Sequence, residues 1–359
     1  MSQSKRALIM AGGTGGHIFP GLALADELSS QGWEILWLGT AERMEAQLVP
    51  NHGYPIKFID IKGVRNKGLL RKLLTPFMVI HAVWQGIQLI RQFDPNVVVG
   101  FGGYAALPGG IAAKLLAKKL VIHEQNAAAG LTNKVLSKIA NKVLVAFKGT
   151  KGLKANAIVG NPVRSSIQST KPKSMGPTLN VLVVGGSLGA RVLNEKVPEA
   201  VSIFAGQGNR IRVLHQAGKD EAGKVEQNYH AATKQGADIS VTDFIADMAS
   251  AYQEADVVIC RSGALTVSEL ALAGVPSILV PLPHAVDDHQ TRNAEVLVHA
   301  GAGILLPQNE LEQGELVKQL TLLAELPEQL NEMAKACADV AVKDATSQVA
   351  NIVVNTASC

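Results

Sequence analysis

Two glycine-rich turns are the first features of this sequence that could bind an anion. GGTGG at 12–16 follows an apolar run near the N-terminus, and GGSLG at 185–189 follows a similar run in the other half. A glycine turn between a strand and a helix lets the backbone approach a phosphate, and the helix N-terminus offers N–H donors. Either turn could also be a plain connection. Two such turns in one chain favour binding of a pyrophosphate.

Neither turn matches the common nucleotide-binding loops. The first runs GTGGHI, so Ile18 stands where the dinucleotide motif G-x-G-x-x-G needs glycine. The second expected strand ends at Gly39 without the acidic residue that would hold a ribose. The chain contains no P-loop sequence and no D-x-D, the usual short signal of a metal-bridged nucleotide sugar. A dehydrogenase and a P-loop NTPase are therefore disfavoured, and helix dipoles and cations would have to meet the charge of a diphosphate.

RSGALTVSE at 261–269 combines a strand end with a helix start. The N–H groups of Ala264 and Leu265 are expected to point at an anion there. Glu269 lies one turn inside that helix, where it could accept both hydroxyls of a ribose or simply be favoured by the helix dipole. Arg164, at the end of GNPVR, could reach a phosphate oxygen with its guanidinium fork or be a solvated linker residue.

Two further positions could take part in proton transfer or substrate binding. His17 directly follows the first glycine turn, where its imidazole could act as a general base near neutral pH. A capping or structural role is the alternative. His123-Glu124-Gln125-Asn126 ends an expected strand, at the edge where open α/β sheets bind ligands. This location favours a functional cluster over a plain polar loop.

All these candidates follow strands in a repeating β–α pattern, with helical stretches such as Gly21–Ser30 and Ala105–Ala117 between them. The expected strands are Ala7–Met10, Glu34–Leu38, Ile56–Ile61, Asn96–Val99, Leu120–His123 and Lys142–Val145, then Leu179–Val184, Arg210–His215, Ile239–Thr242, Asp256–Cys260 and Ser277–Val280. The pattern predicts an α/β fold with two doubly wound domains. A Ser-, Lys- and Pro-rich linker at 164–177 sets the boundary, with 1–163 in the first domain and 164–359 in the second. The final helix could pack back on the first domain.

Composition and charge narrow the setting. Hydrophobic residues make up 47% and charged residues 18% of the 359, and three scattered cysteines are too few for a disulfide framework. We expect no signal peptide and no transmembrane helix, which suits a reducing cytoplasm. Residues 1–163 hold 19 Lys and Arg against 8 Asp and Glu, whereas 164–359 hold 15 against 22. The basic first half therefore indicates an anionic partner.

A basic and apolar segment at 62–84 suggests what that partner is. Its basic residues are Lys62, Arg65, Lys67, Arg71 and Lys72, and the apolar stretch that follows ends at Trp84. This arrangement predicts a peripheral contact with an anionic lipid surface. A long amphipathic core helix with a solvated basic start is the alternative. Nucleic acid is disfavoured because aromatic residues are scarce among the basic ones.

Six motifs, taken in order, closely resemble the MurG family of UDP-N-acetylglucosamine:N-acetylmuramyl-(pentapeptide) pyrophosphoryl-undecaprenol N-acetylglucosamine transferases. They are GGTGGHIFP (12–20), FGGY (101–104), HEQN (123–126), GNPVR (160–164), GGSLGA (185–190) and RSGALTVSE (261–269). The resemblance implies two Rossmann-like domains of the GT-B type facing a cleft. It implies that the second domain mainly holds the nucleotide sugar and the first holds the lipid acceptor.

The resemblance also assigns site residues. On the donor it implies Arg164 and Ser187 beside the diphosphate, the Ile245 backbone beside uracil, Asn126 and Gln290 on the GlcNAc hydroxyls, and Ala264, Leu265, Thr266, Val267, Ser268 and Glu269 around phosphate and ribose. Thr14, Gly15 and Gly16 would close over both substrates, while Gly103, Tyr104, His123 and Glu124 fall on the acceptor side. His17 becomes the base that deprotonates the acceptor's C4 hydroxyl. No metal ion and no cofactor are implied.

The implied activity is an inverting transfer of GlcNAc from UDP-GlcNAc to lipid I, undecaprenyl-pyrophosphoryl-MurNAc-pentapeptide. The product is lipid II for peptidoglycan, made at the cytoplasmic face of the bacterial inner membrane by a peripheral protein. Cell-wall synthesis and division proteins are implied partners. The alternatives are a UDP-GlcNAc 2-epimerase of the same shape, which needs no acceptor, a transferase with another lipid acceptor, and a nucleotide-sugar-binding scaffold without turnover.

Overall fold

The computed structural model describes residues 5–61, 69–164, 166–167, 176–186, 189–283 and 288–358, with only the backbone for 69–74. The chain forms two compact units. The first comprises the residues up to Arg164 and the segment from Val342 onward, and the second comprises the residues between. Each unit is built on one sheet whose paired strands are all parallel. The expected class of two doubly wound α/β domains is confirmed.

The first unit has a sheet with the strand order β3-β2-β1-β4-β5-β6-β7 in its described part. The strands are β1 (Arg6–Ala11), β2 (Glu34–Gly39), β3 (Ile56–Phe58), β4 (Val97–Gly102), β5 (Lys119–Glu124), β6 (Lys142–Val145) and β7 (Ala157–Ile158). The helices between them are α1 (Gly15–Ser30), α2 (Glu45–Asn51), α3 (Leu69–Phe93), α4 (Ala106–Leu115) and α5 (Leu131–Leu136).

The central strand β1 shows why these apolar runs become parallel strands. Ala7 and Ile9 pack on one face of the sheet in a cluster with residues of α1, and Leu8 and Met10 pack on the other with residues of α3 and α4. Successive strand residues point to opposite faces, so a strand covered on both faces must be apolar at every position. The continuous run ALIM satisfies that requirement.

The second unit repeats the plan with the strand order β10-β9-β8-β11-β12-β13. Its strands are β8 (Thr178–Val184), β9 (Arg210–Gln216), β10 (Asp238–Thr242), β11 (Val257–Cys260), β12 (Ser277–Leu279) and β13 (Gly303–Leu305). Its helices are α6 (Arg191–Gly206), α7 (Ala222–Asn228), α8 (His230–Lys234), α9 (Met248–Glu254), α10 (Ala264–Ala273), α11 (His289–His299), α12 (Gln308–Glu312), α13 (Glu315–Glu325) and α14 (Pro327–Ala336). Val181 and Val183 of β8 pack with Phe204 of α6 in its core.

The last helix, α15 (Ala345–Ser358), belongs to the first unit. Val349, Ala350 and Val353 are fully buried and join the core cluster that contains α1. Burial of this apolar stripe supplies the favourable free energy for docking. The chain therefore returns to its first unit after completing the second.

Several elements differ from the expected ones. The strand expected over Ile56–Ile61 is only Ile56–Phe58, because β3 is the edge of the sheet and pairs on one side only. Helix α1 begins at Gly15 instead of Gly21, and β7 and β13 were not expected. In the described part of the chain, no helix is both long and apolar enough to cross a bilayer.

Candidate active site

In both sheets the strand order reverses at the first strand: the chain adds strands on one side of it and then on the other. β1 lies between β2 and β4, and β8 lies between β9 and β11. In open parallel sheets, ligands bind outside the carboxyl ends of the strands at such a switch point. The turn 12–16 follows β1 and Gly103 follows β4, while the turn 185–189 follows β8 and 261–263 follows β11. The segments expected to bind anions therefore flank the two switch points.

The first glycine turn runs directly into α1. Thr14 is the N-cap in an extended conformation (φ −139°, ψ 157°), and its carbonyl accepts the amides of His17 and Ile18 at 3.1 and 3.2 Å. The N–H groups of Gly15 and Gly16 are among those that a helix leaves without an intrahelical partner. His17 therefore stands in the first turn of the helix, next to the backbone donors.

A buried carboxylate behind this turn was not expected from the sequence. Glu45 is 1% exposed. Its Oε2 accepts the Gly13 amide at 2.9 Å, and its Oε1 accepts the Thr40 amide and hydroxyl at 3.1 and 2.6 Å. A Cβ at Gly12 would lie 2.5 Å from Glu45 Oε1, so a larger residue would displace the carboxylate. Glu45 thus holds the turn and occupies the Gly13 amide.

The second loop of this switch point packs tightly on the first. Gly103 has a φ of +91°, and a Cβ there would lie 2.5 Å from the Gly12 carbonyl oxygen, so glycine is required twice over. The next residue, Tyr104, is exposed, and the Arg43 guanidinium lies 5.6 Å from its ring centroid. The two loops therefore form one rigid edge beside an exposed ring and a cation.

His17 heads a chain of side-chain hydrogen bonds. Its Nδ1 lies 2.7 Å from Gln125 Oε1, and Gln125 Nε2 lies 3.0 Å from His123 Nδ1. His123 Nε2 lies 2.8 Å from the Gly160 carbonyl oxygen. His123 is fully buried, and burial lowers its pKa to about 4. The structure therefore joins His17, through the Gln125 amide, to the neutral imidazole of His123.

Glu124 organises the loop that follows β5. It is 1% exposed, and its two oxygens accept hydrogen bonds from the Asn126 amide and side chain, from the Gly130 amide and from the Asn133 side chain. The polar atoms of His123 and Glu124 are thus engaged inside the protein. The structure gives both residues the surroundings of positioning groups rather than of groups that face an acceptor.

Arg164 lies at the end of the first unit. Its side chain is exposed, and its guanidinium lies 5.9 Å from the centroid of the Phe19 ring on α1. A cation at this distance from an aromatic ring is attracted by it and keeps its charge. Arg164 therefore places its positive charge beside α1.

The start of α10 in the second unit separates site-facing from core-facing residues. Gly263 is the N-cap and Ala264 begins the helix. Val267 is fully buried and its amide bonds the Gly263 carbonyl, while Ala264 is also buried, so neither side chain reaches the surface. Leu265, Thr266, Ser268 and Glu269 are partly exposed. Within this predicted set, the Val267 side chain therefore packs in the core.

Glu269 and Ile245 are each held by a neighbour. The hydroxyl of Tyr252, a buried residue of α9, donates to Glu269 Oε2 at 3.0 Å. The Ile245 amide donates to Gln216 Oε1 at 3.0 Å. The Glu269 carboxylate is oriented before any ligand arrives, and a backbone contact from Ile245 to a base would have to use its carbonyl.

A cavity of about 1060 Å³ lies in the second unit. Its lining includes Gly189, Ala190, Arg261, Leu282, Gln290 and Gln308. Arg261 donates to the carbonyls of Val280 and Pro281 and to Gln308 Oε1, and burial lowers its pKa. Gln290 accepts the Leu282 amide at 2.9 Å. The cavity is as large as typical small-molecule sites.

Two predicted features lie partly outside the described residues. Ser187, which is expected at the diphosphate, lies outside them. In the basic segment, Lys62, Arg65 and Lys67 also lie outside them, and for Arg71 and Lys72 only the backbone is described. Among the residues with described side chains, no group of three His, Cys, Asp or Glu residues could hold a metal ion.

Sequence reasoning missed Glu45, Gln125 and Tyr252 as site-building residues. Gln125 lies inside the HEQN motif, and its place two residues after His123 at the end of a strand was the available signal. Glu45 and Tyr252 carry no comparable signal, because their partners lie 32 and 17 residues away in the chain.

Two family models match this chain. Residues 7–145 match the glycosyltransferase family 28 N-terminal domain, and residues 180–349 match the glycosyltransferase family 28 C-terminal domain. Together they include both switch points and nearly all the strands described above.

Individual proteins give a closer match. The UDP-N-acetylglucosamine--N-acetylmuramyl-(pentapeptide) pyrophosphoryl-undecaprenol N-acetylglucosamine transferase of Shewanella sp. (strain ANA-3) is 55% identical over 97% of this chain and 96% of its own length. The crystal structure of Acinetobacter baumannii MurG is 41% identical with a TM-score of 0.86, covering 98% and 99% of the two chains. A putative UDP-N-acetylglucosamine 2-epimerase from Listeria monocytogenes has a TM-score of 0.65 at 15% identity, covering 97% and 95%, which is a likeness of fold alone.

Proposed function

This chain belongs to the MurG family of glycosyltransferases, and from that premise we propose how its two units divide the reaction. The enzyme transfers N-acetylglucosamine from UDP-N-acetylglucosamine to N-acetylmuramyl-(pentapeptide) pyrophosphoryl-undecaprenol, lipid I, and so makes lipid II. The observation that carries this conclusion is identity of 55% along 97% of the chain. The assignment of residues to steps is our proposal.

The second unit binds the donor in this proposal. The first N–H groups of α10 bind a phosphate oxygen, since a helix N-terminus carries donors and a partial positive charge. Glu269, already oriented by Tyr252, accepts the two ribose hydroxyls. The Ile245 carbonyl accepts the N3–H of uracil, because the Ile245 amide is already bonded to Gln216. In each of these three contacts, a hydrogen-bond donor faces an acceptor.

The remaining donor contacts come from the cavity and from the first unit. Gln290 lines the cavity and binds a GlcNAc hydroxyl, as does Asn126, whose amide is held by Glu124. Ser187 and Arg164 bind the diphosphate, with Arg164 kept in place on Phe19. Thr14, Gly15 and Gly16 contact both substrates through the turn before His17.

The first unit binds the acceptor and supplies the base. His17 Nδ1 is engaged by Gln125, so Nε2 is the nitrogen that can take the proton of the C4 hydroxyl. Gly103 and Tyr104 contact the acceptor from the neighbouring loop. His123 and Glu124 act on this side as positioning residues, since both are buried with their polar atoms bonded.

The chemical step is a single inverting displacement. The acceptor oxygen attacks the anomeric carbon while its proton passes to His17 Nε2, and the bond from that carbon to the β-phosphate oxygen breaks. UDP leaves with the bonding electrons. Helix N-terminal amides and Arg164 stabilise the charge that develops on the phosphate, and the proposal assigns no metal ion. The new link is β-1,4, and no sugar–enzyme bond forms.

Helix α3 supports a peripheral membrane contact. Its core face buries Ala82 and Ile90, but Phe77, Ile80 and Trp84 on the opposite face are 71%, 66% and 53% exposed. A surface helix usually turns polar residues to water, so three large apolar side chains at i, i+3 and i+7 indicate another surrounding. The basic residues from Lys62 to Lys72 would meet the anionic headgroups, at the cytoplasmic face of the membrane.

Binding to lipid vesicles tests this contact. The Phe77→Ser, Ile80→Ser, Trp84→Ser triple variant should bind anionic vesicles at least about 100-fold more weakly, because full burial of a large apolar side chain contributes about 1.5–3 kcal/mol and more than half of each of these three is still exposed. The matched control is Ile203→Ser, Leu322→Ser, which removes exposed apolar residues from the second unit. Equal binding by the triple variant and the wild type in co-sedimentation would overturn the proposal.

Transfer of labelled GlcNAc tests the proposed reaction. Wild-type enzyme, stripped of metal with EDTA, should convert UDP-GlcNAc and a soluble-chain lipid I analogue into a β-linked disaccharide lipid. Strict dependence of the chemical step on an added divalent ion would overturn the metal-free displacement. Conversion of UDP-GlcNAc into its 2-epimer without any acceptor would favour an epimerase, and donor binding by a folded protein without turnover would favour a scaffold.

A further inference from the structure

The hydrogen-bond chain behind His17 has a direction that its buried end sets. The Gly160 carbonyl oxygen can only accept, so His123 Nε2, 2.8 Å away, must carry a proton. Burial keeps His123 neutral, with its pKa lowered to about 4. A neutral imidazole carries one proton, so His123 Nδ1 can only accept.

The direction then passes to Gln125. His123 Nδ1 needs a donor, and the amide nitrogen of Gln125 lies 3.0 Å from it and also 2.9 Å from the His123 carbonyl oxygen. Two acceptors therefore hold the amide nitrogen, which fixes the flip of a fully buried side chain. The amide oxygen must point the other way, at His17.

We propose that Gln125 is a positioning residue that holds His17 in the tautomer with its proton on Nδ1, so that Nε2 keeps a lone pair for the acceptor hydroxyl. The amide oxygen lies 2.7 Å from His17 Nδ1 and can only accept. The catalytic consequence rests on the proposed role of His17 as base. The tautomer itself is independent of that role.

The neutrality of Gln125 matters for where the proton goes. After His17 Nε2 takes the acceptor proton, Nδ1–H still donates to the amide oxygen, which orients the imidazolium without accepting its proton. Four charged side chains of the first unit have other partners: Glu45 bonds to Gly13, Glu124 bonds to its loop, and the Arg43 and Arg164 guanidinium groups lie over the Tyr104 and Phe19 rings. The proton therefore stays on His17 until solvent removes it.

Nitrogen NMR of histidine reads the tautomer directly. With ¹⁵N-histidine labelling, the His17 signals among the nine histidines are assigned with a His17→Ala sample. In the neutral imidazole of the wild type, Nδ1 should be protonated and Nε2 unprotonated. Gln125→Leu, which removes the acceptor, should move the proton mainly to Nε2, and Gln31→Leu at the end of α1 should leave it on Nδ1. A wild-type His17 protonated at Nε2, or no change in Gln125→Leu, would overturn the proposal.

Gln125→Glu is a second variant, which keeps an acceptor beside His17 Nδ1 and removes the amide donor to His123. A carboxylate still accepts from His17 Nδ1–H, so the tautomer should be retained. Its negative charge favours the imidazolium, so the acidic limb of the pH–rate profile should move to higher pH. Loss of the Nδ1 proton in this variant would contradict the proposed direction of the chain.

A double-mutant cycle separates this inference from the proposed function. Gln125→Leu should lower kcat at least about tenfold in the wild-type background, with the KM for UDP-GlcNAc changed by less than about threefold. In a His17→Ala background the same substitution should change kcat less than about twofold, since it acts through His17. Equal losses in both backgrounds would overturn the inference. Full activity of His17→Ala would instead overturn the role of His17 as base, while the NMR result would still stand or fall on its own.

Discussion

The two switch points of this enzyme differ in the groups that form them. In the first unit, partly exposed His17 is hydrogen-bonded to buried Gln125, and Gln125 is bonded to buried His123. The buried carboxylates of Glu45 and Glu124 accept hydrogen bonds from the loops beside them. In the second unit, the described groups are mainly a helix start, one oriented carboxylate and a cavity of about 1060 Å³. The first switch point therefore consists mainly of side chains held by hydrogen bonds, and the second consists mainly of a cavity and a helix N-terminus.

This difference matches the two tasks of a group transfer. A proton must leave the acceptor in a defined direction, which requires a base held in one orientation and one protonation state. A nucleotide sugar must be recognised and its diphosphate charge met, which backbone amides and a roomy cavity can do. Substitution of His17 should therefore reduce turnover, and substitution of Glu269 should weaken donor binding.

The largest effect is expected at the base. His17→Ala should lower kcat by about 10²–10⁴, the usual contribution of a positioned acid or base. The dissociation constant for UDP-GlcNAc should change less than about twofold, as measured by calorimetry. His52→Ala is the matched control, because His52 is an exposed histidine of the same unit. Loss of donor affinity in His17→Ala would break the proposed division.

Glu269→Ala should weaken donor binding instead of slowing the chemical step. Removing the acceptor of two ribose hydroxyls should raise the dissociation constant for UDP about 10- to 100-fold, since a hydrogen bond to a charged group contributes about 1.5–3 kcal/mol. Titration calorimetry with UDP measures it, and Glu254→Ala at the exposed end of α9 is the control. Unchanged UDP affinity would remove Glu269 from the donor site.

Each unit also buries one neutral histidine, and this shared feature predicts acid sensitivity. Burial lowers the pKa of His123 to about 4 and that of His215 to about 3 from 6.5. The unfolded chain therefore binds more protons between these values, so the stabilisation is full above pH 6.5 and is lost as the pH falls toward 4 and 3. When the pH falls from 7 to 5, each of the two histidines should lower the free energy of unfolding by about 2 kcal/mol.

Tryptophan fluorescence measures this loss in the first unit alone, since Trp33, Trp37 and Trp84 all lie there. Urea unfolding of His123→Asn should show a smaller difference between pH 7 and 5 than the wild type, because asparagine does not titrate. His215→Asn should leave the tryptophan transition's pH dependence unchanged. The same pH dependence in His123→Asn and the wild type would rule out the buried imidazole as its source.

The smallest effect is expected at Tyr252. Tyr252→Phe removes only the hydroxyl that orients Glu269, so the dissociation constant for UDP should rise about fivefold, in line with a net hydrogen bond of about 1 kcal/mol. In a Glu269→Ala background the change should vanish. A persistent effect there would mean that Tyr252 acts on the donor by another route.

Most strands were predictable from the sequence because both faces of each sheet are covered. The run ALIM in β1 has no polar position, which only a strand buried on both sides requires. β13 was not predictable, since GIL offers three residues and no periodicity. Helix α1 was expected too late because Gly15 and Gly16 are poor helix formers, whereas the structure starts the helix directly at the turn.

The parts of the site that backbone groups form could be predicted from the sequence. The parts that depend on side chains distant in the chain could not. Glycine turns and the start of α10 are visible because local sequence sets them. Glu45 is not visible, since nothing in its own segment indicates burial beneath a turn 32 residues earlier. Val267 was included with its neighbours, although the helical period turns it into the core.

Dependence of turnover on donor concentration tests the division of labour most directly. Initial rates of GlcNAc transfer would be measured for the wild type, His17→Ala and Glu269→Ala over a range of UDP-GlcNAc reaching far above the KM of the wild type. We expect rising UDP-GlcNAc to bring Glu269→Ala toward the wild-type rate and to leave His17→Ala as slow as before. Recovery of His17→Ala at high UDP-GlcNAc, with Glu269→Ala still slow at saturation, would contradict the account.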